Sequence, residues 1–348
     1  MCNGIRARGR SASMSGGGSG NGGQTGAALK PVEAVLDAAG ASVPRVMDRV
    51  ERRMAEVSVD HGAALARHAG DTIAAGGKRL RPLLVCLAAG VPPPESQTLV
   101  HAAVAVELVH GATLVHDDVL DSSLLRRGRP TVVATGGRRM ATATGDLLFS
   151  RAFAELSLTR SPGAVRVLSR ASSELALGEL MQRSDAWRGD VTVQRYLERC
   201  RLKTAVLFRA ACELGAIEGD GPIEALGTFG EQIGLAFQIL DDVLDVSGPP
   251  ERTGKPQGAD LLDGTITLPL IEARGRDPQL AALDVRDLRT TADAKSVCER
   301  IVATGALDKT RARALELVAR AKSILPTLPD RQRAALDLVA DGVVERYS

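Results

Sequence analysis

From about Ala28 onward, apolar residues recur in Ala-rich and Leu-rich groups at helical spacing, without the regular short-strand alternation of a sheet protein. The spacing predicts helices over roughly 30–56, 59–74, 80–90, 96–123, 138–159, 163–183, 191–216, 221–246, 265–275, 291–304, 308–324 and 329–346. Breaks fall where Gly and Pro cluster, at "GVPPPES" (90–96), "RGRPT" (127–131), "SGPPERTGKPQG" (247–258) and "LPTLPD" (325–330). The fold class expected is all-α. Neither a linker nor a repeat period divides the pattern, so a single helical domain is expected over 29–348. Residues 1–28 contain "SGGGSGNGGQTG" and cannot bury apolar surface; they read as a disordered tail, with Met14 a second candidate start.

Composition narrows the class of function. With 348 residues, 44% of them hydrophobic, the chain can bury a sizeable core. Its 44 basic and 42 acidic residues nearly balance, which argues against a general nucleic-acid binder. Aromatics at 2% exclude stacking as a main mode of recognition. The cysteines (Cys2, Cys86, Cys200, Cys212 and Cys298) form no CxxC pair, which argues against zinc and disulfides and for a reducing, cytoplasmic setting. No apolar run is expected to approach the length of a membrane span, and Arg6, Arg8 and Arg10 are not followed by the apolar segment of a secretory signal.

Charge patterning then singles out one pentapeptide. "DDVLD" occurs twice, as Asp117, Asp118 and Asp121 in "LVHDDVLDSSLLRRGRPT", and as Asp241, Asp242 and Asp245 in "FQILDDVLDVSG". Residues four apart share a helix face, so Asp117 projects with Asp121 and Asp241 with Asp245, while Asp118 and Asp242 point about a quarter-turn away. Carboxylates among Leu and Val are costly unless a cation offsets them. Oxygen-only faces suit Mg²⁺, which binds through one or two carboxylates, waters and a substrate phosphate. A solvated helix face explains one such copy as well; it does not explain two, each preceded by an apolar turn.

An anionic substrate also needs cations from the protein. "GGKRLRP" supplies Lys78, Arg79 and Arg81, "RRGRP" supplies Arg126 and Arg127, "RLKTA" supplies Lys203 beside Thr204, and "GKPQGAD" supplies Lys255 and Asp260. Arg forks match phosphate oxygens and Lys adds a mobile charge. "GGKRLRP" lacks the spacing of a P-loop. His110 lies two turns before Asp117 on the same face, where it can donate to a phosphate; His116 adjoins the carboxylates and orients them.

These stretches, with "GDLLFSRAF", "GELMQ", "KTAVLF" and "GKPQGADLLDGTITLP", resemble the trans-type isoprenyl diphosphate synthases, the polyprenyl synthetase family, from about residue 30 to the C-terminus. The resemblance implies an all-α bundle around a deep central cavity, usually a homodimer, joining an allylic diphosphate to isopentenyl diphosphate head to tail. It implies Mg²⁺, about three ions per site with diphosphate bound, held by Asp117, Asp118, Asp121, Asp241 and Asp242, with Asp245 acting through water. By position, Arg126, Lys203 and Lys255 would hold the allylic diphosphate, and Lys78, Arg81, His110 and Arg127 isopentenyl diphosphate. Gln238 and Thr204 would lie near the developing cation. Thr265 stands where many relatives carry Lys, which removes one auxiliary phosphate contact.

Product length is expected to follow the turns before Asp117. Ala112, Thr113 and Val109 are small enough to leave a tunnel open, where short-chain relatives close it with an aromatic residue. A 20-residue helix is about 30 Å long, room for roughly six or more extended isoprene units. A long-chain all-trans product suited to a quinone side chain, such as that of menaquinone, is therefore expected. Contact with a membrane for product release would be peripheral. The alternatives are a short-chain farnesyl or geranylgeranyl synthase, a terpene cyclase, whose second metal motif and aromatic cavity differ from these, and a non-catalytic partner subunit, which usually loses the Asp clusters.

Overall fold

The computed structural model describes residues 26–59, 68–70, 72–73, 77, 79–90, 93, 95–126, 128–249 and 256–345. The expected tail through residue 25, most of the expected helix 59–74, and Lys78, Arg127 and Lys255 lie outside the described residues.

Helices build the fold. The first expected helix is two, α1 (Gly26–Ala39) and α2 (Ser42–Val59), because Gly40 takes a left-handed φ of 84° between them. Next come α3 (Leu80–Ala88) and α4 (Gln97–Leu120). A two-stranded antiparallel hairpin, β1 (Leu125–Arg126) and β2 (Arg129–Pro130), fills the break expected at "RGRPT". Then follow α5 (Val132–Ser157) and α6 (Pro162–Asp185). The helix expected over 138–159 starts earlier, capped by the Thr131 hydroxyl, and Gly137 marks a kink inside it rather than its beginning. The helix expected over 191–216 is three pieces: α7 (Val193–Cys200), a π turn (Arg201–Ala205) and α8 (Val206–Glu218). The chain continues through α9 (Ile223–Ser247), α10 (Ala259–Leu262), α11 (Leu268–Arg274), α12 (Pro278–Ala282), α13 (Thr291–Ala303), α14 (Ala306–Ile324) and α15 (Asp330–Glu345).

The long α4 is central. It starts at a Ser96 cap, packs mainly on α5, and also meets α2, α3 and α8. Because it is apolar on almost every side, it is long and apolar enough to cross a membrane by length and composition, contrary to expectation; 67% of that stretch is buried inside the bundle. Opposite, α9 packs on α8 and α14, and α1 packs on α15, bringing the first and last helices together. The described cysteines, Cys86, Cys200, Cys212 and Cys298, are buried free thiols.

Candidate active site

The carboxylate end of α4 faces that of α9 across a cavity of about 940 Å³. His110, Thr113, Asp117 and the C-cap Asp121 line it along α4, three or four residues apart as one helix face requires, with Leu114 beside Thr113. Gln238, Asp241, Asp242 and Asp245 line it from α9, Lys203 and Thr204 from the π turn, Arg81 from α3, and Arg126 from the hairpin. The structure thus gathers, from five separate elements, most of the residues that the sequence nominates.

Others fall elsewhere. Asp118 is buried beside the cavity, and its Oδ1 accepts from Arg126 Nε at 2.9 Å and Nη2 at 2.8 Å. Ala112 and Val109 are fully buried and do not line the cavity: Ala112 lies about a quarter-turn from Thr113, and Val109 lies one turn before Thr113, inside the core. The length-control expectation therefore moves to Thr113. His116 turns away to α5, stacking on Phe149 with ring centroids 5.8 Å apart and lying 3.3 Å from Asp146. Arg79, with a left-handed φ of 46°, also points away: its guanidinium holds Glu51, Glu107 and the Ile73 carbonyl, which anchors the turn before α3. Arg81 stacks over Phe208 at 4.7 Å.

The π turn aims Lys203 and Thr204 into the cavity; such turns recur at functional sites because they break the regular side-chain register. Two glycines permit its close packing. A Cβ on Gly178 would lie 2.6 Å from the Lys203 backbone nitrogen, and one on Gly234 would lie 2.6 Å from Ala205 Cα. Lys203 Nζ donates to Glu179 Oε2 at 2.5 Å, and Thr204 Oγ1 donates to Gln238 Oε1 at 2.7 Å. Gln238 Nε2 donates in turn to Asp242 Oδ1 at 2.7 Å, and the buried Tyr196 hydroxyl takes Asp242 Oδ2 at 2.7 Å. Asp245 Oδ2 accepts from the Asp260 backbone N–H at 3.3 Å.

Burial dominates the electrostatics. It raises the Asp117 carboxyl against the pull of Lys203, and the Asp118 carboxyl against that of Arg126. Burial, with Asp260 nearby, pushes Asp242 well above the usual carboxylate range. A cation entering here therefore relieves a cost the fold already carries. Asp117, Asp121, Asp241 and Asp245 present hard oxygen donors and fit Mg²⁺. Among the described residues no group of three or more His, Cys, Asp or Glu side chains converges on one point.

Sequence reasoning missed Glu179, Arg183, Tyr196 and Trp187. Arg183 Nη2 donates to Asp121 Oδ1 at 2.6 Å and its Nε to Glu179 Oε1 at 2.8 Å. Trp187, the sole tryptophan, lines the cavity with its ring against Gly264. "GELMQ" held the signal for Glu179; nothing local marks the others.

A helical bundle with paired acidic and basic walls defines a diphosphate-handling class of enzyme, and the comparisons specify it. The polyprenyl synthetase family profile matches residues 63–303, and the chain belongs to that family of prenyltransferases. It is 40% identical over 266 residues to heptaprenyl diphosphate synthase component 2 of Geobacillus stearothermophilus, covering 75% of this chain and 83% of that one. It is 36% identical over 281 residues to a geranylgeranyl diphosphate synthase of Methanosarcina mazei, covering 78% and 86%. A polyprenyl synthase from Caulobacter crescentus, solved with calcium and isoprenyl diphosphate, superimposes with a TM-score of 0.82 at 37% identity, over 88% of this chain and 98% of that one.

Proposed function

We propose that the chain is a catalytically competent synthase that extends an allylic diphosphate with isopentenyl diphosphate to a long-chain all-trans polyprenyl diphosphate, for a quinone side chain. The observation that carries this reading is the meeting of both DDVLD copies with Lys203, Arg126 and Arg81 around one cavity.

Mg²⁺ bound by Asp117, Asp121 and Asp241 would neutralise the departing diphosphate. Lys203 and Arg126 bind that diphosphate when they exchange Glu179 and Asp118 for phosphate oxygens. The allylic C–O bond breaks with its electron pair staying on oxygen. The isopentenyl double bond, its diphosphate held by Arg81 and His110, forms the new C–C bond, and a proton passes to the released diphosphate. Thr204 and Gln238, fixed through Asp242 and Tyr196, hold their oxygens at the cavity wall beside the developing positive charge.

Length is supported by Thr113, Leu114 and Leu207, three cavity-lining side chains without an aromatic ring among them, and by the heptaprenyl relative. The words "component 2" in that relative's name favour a second reading, in which this chain is the catalytic half of a pair. Leu177 and Leu180, 56% and 66% exposed on α6, offer an apolar face for the homodimer the first reading expects. Labelled isopentenyl diphosphate supplied to the purified chain with Mg²⁺ and an allylic primer tests the proposal. Incorporation without any other protein supports it; incorporation only after a second chain is added supports the paired reading, and none under either condition removes both.

A further inference from the structure

Arg183 is a cation of the cavity wall that neither the motifs nor the reaction accounts for. It sits near the C-terminal end of α6, with a side chain 41% exposed, facing the end of the first DDVLD copy. One guanidinium edge is split between two carboxylates, Nη2 on Asp121 at 2.6 Å and Nε on Glu179 at 2.8 Å. The other Glu179 oxygen holds Lys203 at 2.5 Å. Asp121, Arg183, Glu179 and Lys203 thus form one alternating chain of charge along the wall where the first cluster meets the π turn. A guanidinium against Asp121 Oδ1 weakens that carboxylate for a divalent ion, because the two cations repel and compete for the same oxygen.

We propose that Arg183 acts as an internal counter-ion that occupies Asp121 until diphosphate arrives, then transfers to a phosphate oxygen and so couples metal binding to diphosphate binding. This rests on the reading of the cavity as a diphosphate and Mg²⁺ site. Arg183 is a positioning residue in it. Without diphosphate it holds the metal off Asp121; with diphosphate it gains a bidentate anionic partner and frees the carboxylate. Metal and diphosphate then each raise the affinity of the other by the same factor.

The test titrates the wild-type protein and the variants Arg183→Gln and Arg183→Lys with Mn²⁺, by calorimetry, with and without inorganic diphosphate. For Mn²⁺ alone, Arg183→Gln should bind roughly fivefold tighter than wild type, the size expected for one partly exposed charge pair. Arg183→Lys, which keeps the charge, should stay near wild type. The factor by which diphosphate tightens Mn²⁺ should fall roughly fivefold in Arg183→Gln. Unchanged Mn²⁺ affinity in Arg183→Gln, or an unchanged coupling factor, overturns the counter-ion role while leaving the site intact. Failure of wild type to bind Mn²⁺ with diphosphate overturns the site and this role together.

Discussion

Asp117, Asp118 and Asp121 close a helix, whereas Asp241, Asp242 and Asp245 sit inside one. In the first copy Asp121 caps α4, and the cations Arg126 and Arg183 hold Asp118 and Asp121. In the second copy α9 runs on to Ser247, Asp242 and Asp245 are both 4% exposed, and neutral donors hold Asp242: the Tyr196 hydroxyl and the Gln238 amide. The same five letters thus make an ion-paired rim on one side and, on the other, an oxygen wall fixed by neutral donors. The difference comes from what packs opposite each copy. A carboxylate paired with a mobile Arg can release it to a phosphate; one fixed by Tyr and Gln keeps its geometry and waits for an incoming cation.

The largest effect should come from removing a carboxylate that faces the cavity on either side. Asp117→Ala and Asp241→Ala should each lower turnover on the order of a hundredfold to a thousandfold while the helical circular dichroism stays unchanged. Near-normal activity of either at saturating Mg²⁺ would break the claim that the two copies serve one site. Next in size, the basic residues should divide by substrate. Arg81→Ala should chiefly raise KM for isopentenyl diphosphate and Lys203→Ala that for the allylic substrate, each by on the order of 1.5–3 kcal/mol of lost charge-assisted contact. Equal effects on both substrates in steady-state kinetics would remove the division.

The turn before the first copy sharpens the comparison further. Thr113→Phe places a ring in the cavity and should shorten the product to roughly three or four units. Ala112→Phe, on the core face, should instead cost about 1–3 kcal/mol of stability by overpacking. Chromatography of the dephosphorylated products and thermal melts separate the two; a shortened product from Ala112→Phe alone would return length control to the core face.

The smallest effect concerns Glu155, a buried carboxylate that is not among the cavity-lining residues. Burial would raise Glu155, but hydrogen bonds from Arg53 at 2.6 Å and His101 at 2.8 Å outweigh it and hold its carboxyl below the usual range. A lowered folded pKa contributes stability above the unfolded value of about 4.3, and that contribution is lost as pH falls through the folded value. Glu155→Gln should therefore lower stability at pH 7 by about 1–3 kcal/mol without changing kcat. The gap to wild type should close under acid; a gap that persists at low pH would assign the loss to packing.

Much of this was legible in the sequence wherever spacing alone decides direction. His110, Thr113, Asp117 and Asp121 share a face because they lie three and four residues apart, and the structure puts that face on the cavity. Breaks were legible where Gly and Pro cluster but not at the lone Gly40, and the π turn was not legible either, since "RLKTA" carries neither residue and the turn depends on α6 and α9 closing on it through Gly178 and Gly234. Asp242 is expected from the family resemblance to hold Mg²⁺; that Tyr196 fixes it was not legible, because Tyr196 is distant in sequence and no local pattern joins them. Arg183 was not singled out in the sequence, because only the fold sets it against Asp121, 62 positions away.

The joint action of the two copies is tested most directly by a crystal structure of the wild-type protein grown with Mg²⁺ and inorganic diphosphate. The expected result is a diphosphate between α4 and α9, bridged by metal to Asp117 on one side and Asp241 on the other, with Lys203 on its oxygens. Diphosphate bound at one cluster alone, or outside the cavity, would contradict it.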